Sequence, residues 1–109
     1  MLPKEKRLSR EDFQEMNGKR RKFDSPLFFL TVTYTSTTKA AMIVAKKVAP
    51  KAVQRNALRR TLYRSIEAFL PRFSQTAYVV VKAKPKVAKV SEEEIRGELE
   101  RVLTEANLL

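Results

Sequence analysis

The segment between Pro50 and Pro71 constrains the fold of this chain more than any other. Its apolar residues recur at helical spacing and form one stripe, made of Leu58, Leu62, Ile66 and Phe69. This spacing predicts a long helix over Ala52–Leu70. Pro50 lies at or just before the first turn, where a missing N–H costs nothing, and Pro71 ends the helix.

The same segment is strongly basic. Lys46–Arg64 holds seven Lys and Arg residues in nineteen positions and no acidic residue, and the acid-free zone extends from Ser25 to Ile66. Such a segment repels itself and is stabilised when a polyanion lies beside it. Because most of this charge falls on a helix that also has an apolar stripe, we expect it to be displayed on a folded scaffold.

Charge is unevenly distributed along the 109 residues, which we interpret as a single domain, 1–109. Residues 1–72 carry 17 basic and 6 acidic side chains, whereas residues 73–109 carry 6 of each. The basic surface therefore belongs to the first two-thirds of the chain. Nucleic acid is the favoured partner, because phosphate neutralisation releases counterions. A membrane surface is the weaker alternative, since the basic helix has too little bulky apolar surface.

Several classes of protein are excluded by composition. The chain has no cysteine and no histidine, which excludes disulfides, Cys/His zinc sites, Ser-His-Asp triads and Cys-His dyads. No apolar run approaches the ~18 residues needed to cross a bilayer, and the mostly charged Met1–Glu15 does not resemble a signal peptide. We expect a cytoplasmic RNA- or DNA-binding protein of bacterial type.

The N-terminal part of the chain predicts an arm, a short helix and a loop. Residues 1–7 are interpreted as a flexible basic arm. Ser9 is a predicted N-cap with Asp12 three positions later, an acidic variant of the capping box, and Asn17-Gly18 is a C-terminal signal. Lys19–Lys22 is predicted to be a basic loop.

Three strands and a last helix complete the predicted fold. Pro26–Tyr34 and Ala40–Lys46 are expected to form an antiparallel hairpin, and the nearly continuous apolar run Ala77–Ala83 a central, covered strand. Ser91 is the predicted N-cap of the final helix. The order α-β-β-α-β-α predicts an α+β sandwich with helices packed on a small sheet.

The long helix and the turn before it carry the predicted nucleic-acid-binding residues, which the resemblance described below assigns to RNA. A solvated helix face normally mixes signs, whereas this helix has no acid before Glu67. Arginine offers forked donors suited to phosphate oxygens, and an asparagine can both donate and accept. The predicted set is Lys46, Lys47, Lys51, Arg55, Asn56, Arg59, Arg60 and Arg64.

These residues resemble a family signature. The pattern K-K-x-x-x-x-A-x-x-R-N-x-x-[KR]-R is similar to that of the bacterial ribonuclease P protein component, and is carried here by Lys46, Lys47, Ala52, Arg55, Asn56, Arg59 and Arg60. Arg7-Leu8 with Asp12-Phe13 resembles the first helix of the family, and Phe28 and Leu30 its first strand. The chain departs from the pattern at Ala57, where the family usually has arginine, and at Asn17, where a second aromatic is common.

The resemblance implies a function and a fold. It implies an accessory protein subunit of the ribonuclease P endoribonuclease, in which the RNA subunit cleaves precursor tRNA with Mg²⁺ and no protein side chain is catalytic. The protein would bind that RNA through the motif and the 5′ leader in a cleft, with Phe13 and Phe28 as candidate cleft residues. It also implies a mixed sheet with a left-handed crossover, through the long helix, between two parallel strands, against the usual right-handed rule.

Other interpretations remain at this point. A ribosomal protein explains the charge but not the motif, and a DNA-binding regulator lacks a helix-turn-helix pair. A self-sufficient nuclease lacks a convincing carboxylate cluster, and an RNA-recognition-motif domain lacks its Gly-Phe-rich signature. Phe13 and Phe28 are alternatively core residues. Asp12 and Glu15 are a weak candidate for a hydrated magnesium site, and neither membrane nor DNA is an expected partner.

Overall fold

Four strands form one mixed sheet in the computed structural model, which describes residues 2–16 and 19–109. The strands lie in the spatial order β1-β2-β4-β3, with β1 spanning Arg21–Asp24, β2 Phe28–Tyr34, β3 Lys39–Ile43 and β4 Ala77–Ala83. The β1–β2 and β2–β4 pairs are antiparallel, and the β3–β4 pair is parallel. The sheet is therefore mixed, with β4 at its centre.

Three helices pack on this sheet: α1 is Arg10–Glu15, α2 is Ala52–Phe69 and α3 is Glu92–Glu105. Short 3₁₀ turns cover Lys4–Lys6, Leu70–Arg72 and Pro85–Lys89. Together these elements confirm the predicted α+β class. None of the helices in the described ranges is both long and apolar enough to cross a membrane.

The predicted caps are confirmed. The Ser9 hydroxyl accepts from the Asp12 N–H at 3.2 Å, and the Asp12 carboxylate accepts from the Ser9 N–H at 2.8 Å, so both halves of the capping box are present. The Ser91 hydroxyl accepts from the Glu94 N–H at 3.2 Å. The expected stop at Asn17-Gly18 lies outside the described residues.

The predicted hairpin is wrong. β2 and β3 are not neighbours, because β4 lies between them and pairs with both. β3 and β4 are parallel and are joined through α2, as the resemblance implies; the left hand of that connection stays a prediction. β4 can take this place because Ala77–Val81 is apolar and buried on both faces, whereas Lys82 is exposed.

Two predictions for the N-terminal part are also corrected. Arg21 and Lys22 belong to the edge strand β1, not to a loop, and their charge suits a strand edge that faces solvent. The arm is not free: Leu2 is buried in the main core, and Arg7 forms a parallel bridge with Ala40 of β3.

The main core lies between one face of the sheet and the helices α2 and α3. Alternate residues of β2 and β4 point into it, as the two-residue period of a strand requires. The predicted stripe of α2 is buried except for Leu58, which is half-buried. The principal core side chains are Phe28, Leu30, Val32, Leu62, Ile66, Phe69, Val79, Val81, Ile95, Leu99, Val102 and Leu103.

The opposite face of the sheet is only partly covered. Met16 of the turn after α1 packs on Tyr78 and Val80 of β4, with Leu8 and Phe13 half-buried against them. The helix α1 is six residues long, so it shields only one end of this face. The other end stays open to solvent.

Candidate nucleic-acid interface

The basic surface, defined as the eight predicted residues from Lys46 to Arg64, lies on α2 and the turn before it. Lys46 and Lys47 are exposed in the turn after β3, and Lys51 is the N-cap of α2. The first turn of α2 contains no acidic residue. The lysines therefore lie at the positive end of the helix dipole, where an anion is favoured.

Arg55 fixes the turn that carries these lysines. Its Nη1 donates to the carbonyl oxygens of Ala49 at 3.0 Å and Pro50 at 2.8 Å. Hydrogen bonds from a charged donor are stronger than neutral ones. The side chain of Arg55 thus joins the first turns of α2 to the segment before the helix, and only part of its guanidinium remains available.

The other polar residues of α2 differ in their partners. Arg59 Nη1 donates to Asn56 Oδ1 at 3.0 Å, which leaves the Asn56 amide as a donor facing solvent. Arg64 Nη2 lies 3.1 Å from Glu92 Oε1 of α3, so Arg64 already has a carboxylate partner. Within residues 2–16 and 19–109, the side chains of Lys46, Lys47, Lys51 and Arg60 have no hydrogen bond or ion pair.

The second candidate region is the sheet face beside α1, and a buried carboxylate holds it together. Asp12 is 6% exposed. It accepts from Lys39 Nζ of β3 at 3.1 Å and from the Tyr78 hydroxyl of β4 at 3.2 Å. The backbone N–H of Ser9, together with Lys39, lowers the pKa of Asp12 to about 2. Asp12 therefore fixes α1 to two strands as an anion.

Tyr78 of β4 is the hydrogen-bond donor through which the sheet contacts Asp12. Its hydroxyl lies 3.2 Å from Asp12 and 3.4 Å from Glu15. Burial, followed by the nearby charges of these two carboxylates, raises the pKa of Tyr78. The Tyr78 hydroxyl stays protonated and donates at neutral pH.

The two predicted cleft residues, Phe13 and Phe28, belong to different clusters of the structure. Phe13 is half-buried on the α1 side of the sheet, where part of its ring faces solvent. Phe28 is 0% exposed and belongs to the main core. The assignment of Phe28 to a leader cleft is therefore wrong, because the pleat of β2 points its ring toward α2 and α3.

Comparison with known proteins identifies the family. The sequence model of the ribonuclease P family matches residues 2–107. The chain belongs to the ribonuclease P protein family. Membership places it among the proteins involved in processing the 5′ end of tRNA.

Similar sequences and structures cover nearly all of the chain. It is 29% identical over 110 residues to the ribonuclease P protein component of a Picosynechococcus strain, spanning 98% of this chain and 95% of the relative. The corresponding protein of a Pseudanabaena strain is 28% identical over 113 residues, with 100% and 97% covered.

Solved structures share the fold. A mutant of the Staphylococcus aureus ribonuclease P protein with defective mRNA degradation activity superposes with a TM-score of 0.84 at 20% identity, covering 95% of this chain and 90% of that one. The Thermotoga maritima ribonuclease P protein gives a TM-score of 0.78 at 20% identity, with 91% and 96% covered.

The residues that position α1 were not predicted from the sequence of this ribonuclease P family member. Lys39 and Tyr78 were not assigned to the site, because they are 27 and 66 residues from Asp12. One signal was available for β4: Lys82 interrupts an apolar run, which marks the solvent-facing side of that strand. The pairing itself is a long-range property that periodicity does not contain.

The departure at Ala57 also has a place in the structure. Ala57 lines a shallow groove of about 300 Å³ with Val48, Ala49 and Leu58. At the position where the resemblance leads us to expect an arginine, this chain has a small apolar residue beside the basic surface.

Proposed function

We propose that this chain is the protein subunit of ribonuclease P, and that its basic surface binds the catalytic RNA. The observation that carries the proposal is the set of four cationic side chains, Lys46, Lys47, Lys51 and Arg60, that lack a partner among the described residues. They lie on one helix and the turn before it. Phosphate oxygens supply the missing negative charge, and counterion release favours their binding.

The proposal assigns different contacts to different parts of this surface. The three lysines bind phosphates as point charges beside the helix N-terminus, and Arg60 presents a forked donor further along α2. Arg55 contributes by positioning the turn. Arg64 contributes less than its sequence position predicts, because Glu92 already neutralises part of its charge.

The 5′ leader of precursor tRNA is the proposed ligand of the sheet face beside α1. Phe13 offers a partly exposed aromatic ring there, and aromatic rings stack on unpaired bases with little sequence preference. The Asp12 contacts to Lys39 and Tyr78 hold α1, and therefore Phe13, in a fixed position over the sheet. This support for the leader cleft does not depend on Phe28.

The proposal assigns hydrolysis to the RNA subunit and its Mg²⁺ ions. The described residues contain no group of three or more Asp, Glu, His or Cys side chains placed to hold a metal. The oxygens of Asp12, the weak candidate from sequence, are already bonded to Ser9, Lys39 and Tyr78. The protein is thus a cytoplasmic accessory subunit with RNA partners, and neither a membrane nor DNA is part of the proposal.

Reconstitution with a bacterial ribonuclease P RNA tests the proposal. We expect cleavage of the precursor tRNA leader to require the RNA and to be stimulated by the protein most strongly at low Mg²⁺, because protein cations then replace metal ions in neutralising phosphates. The measurement is the cleavage rate across a Mg²⁺ titration. Tight RNA binding without stimulation by a cognate RNA would instead support a structural RNA-binding role.

A further inference from the structure

One ion pair joins the end of the basic surface to the first turn of α3. Arg64 Nη2 of α2 lies 3.1 Å from Glu92 Oε1 of α3, although the two residues are 28 positions apart in the sequence. Both side chains remain largely open to solvent, with 59% and 44% of their surface exposed. Exposed ion pairs contribute little to stability because solvent screens them, and they open at low cost. Glu92 therefore neutralises Arg64 in the free protein without holding it strongly.

The two helices do not depend on this pair for their packing. Leu62 and Ile66 of α2 are buried in the same core cluster as Ile95 and Leu99 of α3. Burial of large apolar side chains contributes far more free energy than an exposed ion pair. Opening of the ion pair therefore leaves α3 in its place, and a purely structural role explains little of this contact.

Arg64 is also the next cation for an RNA strand that follows α2. It lies four residues after Arg60, so the two side chains share a face of the helix, about 6 Å apart along its axis. Arg60 is exposed and is one of the four cations without a partner in the described part of the chain. An RNA strand that binds Arg60 and continues along the helix therefore reaches Arg64, where it meets the Glu92 carboxylate.

Other acidic residues close to this pair in the sequence make no comparable contact. Glu67 lies three residues after Arg64 on α2, and Glu93 and Glu94 follow Glu92 in the first turn of α3. None of these three carboxylates forms an ion pair within residues 2–16 and 19–109. The contact with Arg64 is thus a property of one carboxylate and not of the general acidity of α3.

We propose that Glu92 competes with RNA phosphate for Arg64 and thereby limits the affinity of the basic surface for RNA. The pair is closed in the free protein. RNA that reaches Arg64 displaces the carboxylate, and Arg64 then binds phosphate beside the four cations that have no partner among the described residues. Breaking the pair offsets part of the gain from the new contact. The inference rests on the function proposed above, because the competing ligand is the catalytic RNA.

A double-mutant cycle on the full chain tests this competition. Glu92→Gln keeps the size of the side chain but removes its charge, and is expected to bind a bacterial ribonuclease P RNA about two- to fivefold more tightly. Arg64→Ala is expected to lose more affinity in the Glu92→Gln background than in the unmodified protein. In the Arg64→Ala background, Glu92→Gln is expected to give no such gain. Fluorescence anisotropy at one KCl concentration measures all four affinities.

Glu93→Gln is the matched control, because it makes the same change of net charge in the same turn of α3 without breaking an ion pair. Its affinity for the RNA is expected to stay close to that of the unmodified protein. Both glutamates are exposed, so both variants are expected to fold, and urea unfolding checks this. Loss of the fold in Glu92→Gln would show that the pair is structural and would contradict the inference.

Several other outcomes would overturn the inference. One is unchanged affinity in Glu92→Gln, and another is an equal gain in Glu93→Gln, which would show a general effect of charge. A gain that persists in the Arg64→Ala background would show that Arg64 is not the group released. If the unmodified protein stimulates cleavage but the cycle shows no coupling, the competition fails while the role as ribonuclease P subunit stands. Coupling without stimulation of cleavage would leave the competition in place and overturn the subunit role.

Discussion

The arginines of α2 carry the same charge but have different hydrogen-bond and ion-pair partners. Arg55 donates hydrogen bonds from Nη1 to the Ala49 and Pro50 carbonyls, and Arg64 is paired with Glu92. Arg60 has neither kind of contact within the described ranges. An interface contribution therefore depends on what each side chain already binds, which a count of basic residues does not reveal.

Arg60→Ala is expected to weaken binding to the catalytic RNA about five- to tenfold and to reduce the slope of log K against log salt by about 1, with stability unchanged.

Arg55→Ala is expected to weaken binding and also to lower the free energy of unfolding by about 1 kcal/mol, because two hydrogen bonds are lost. Salt-dependent binding and urea unfolding measure the two effects.

Arg96→Ala is the matched control for this pair. It removes the same charge from an exposed position of α3, where Arg96 pairs with Glu92 at 3.9 Å. Binding close to that of the unmodified protein is expected. An equal loss in all three variants would show that only net charge matters.

Phe28 and Phe29 show how far prediction reached at single positions. Alternation along β2 separates the two residues onto opposite faces, and this follows from the sequence. Which face meets the helices does not follow, because it depends on where α2 and α3 pack. Phe28 is buried in a core cluster that includes side chains of α2, β4 and α3, which are distant in the sequence.

At the scale of elements, α1 is the least self-sufficient helix. Six residues are too few to be stable alone, so its position depends on the capping box and on the contacts of Asp12 with Lys39 and Tyr78. The sequence predicts the capping box of α1 but not the contacts of Asp12 with Lys39 and Tyr78. The leader cleft proposed here exists only while these contacts hold α1 against β3 and β4.

Asp12 makes the stability of the fold depend on pH. The pKa of its carboxyl falls from an ordinary 3.8 to about 2, so the ionised form stabilises the folded state above pH 4. That contribution, about 1 kcal/mol after screening by solvent, is lost as the pH falls from about 4 to 2. Asp12→Asn is expected to be less stable at neutral pH and to show a flatter pH dependence in this window.

Urea unfolding of both proteins at several pH values measures this effect. Glu67→Gln is the control, since it removes a carboxylate from the exposed side of α2 and should retain the dependence seen between pH 2 and 4. Parallel curves for the unmodified protein and Asp12→Asn would contradict the assigned role of Asp12.

The sheet shows the limit of prediction at this scale. Local patterns located β2, β4, α2 and α3, because each has a strong period or cap. They did not locate β1, whose four residues include three charges, and they paired β2 with β3 because neighbours in sequence are usually neighbours in space. The pairing of β2 with β4 depends on contacts across more than 40 residues, which no local pattern reports.

Over the whole molecule, charge is polarised. Residues 1–72 hold the excess of basic side chains, and the acidic residues of α3 pair mainly within that helix and with Arg64. Four cations without a partner among the described residues lie on α2 and the turn before it. This separation gives the protein a preferred orientation as it approaches a polyanion.

Binding to the catalytic RNA is therefore expected to depend steeply on salt. If the four unpartnered cations each contact a phosphate, the slope of log K against log salt is about −3 or steeper. Filter binding or fluorescence anisotropy over a range of KCl concentrations measures this slope. A slope near zero would show that these side chains do not contact phosphates in the complex.

The central position of β4 also has a consequence for synthesis of the chain on the ribosome. β1, β2, β3 and the whole basic helix emerge before residues 77–83, and until then neither β2 nor β3 has the partner that separates them. The sheet can close only when its middle strand arrives, and such long-range pairing is slow. A nascent chain that stops near Arg72 would thus expose the whole cationic segment of α2 before the domain folds. This segment would attract polyanions at that stage.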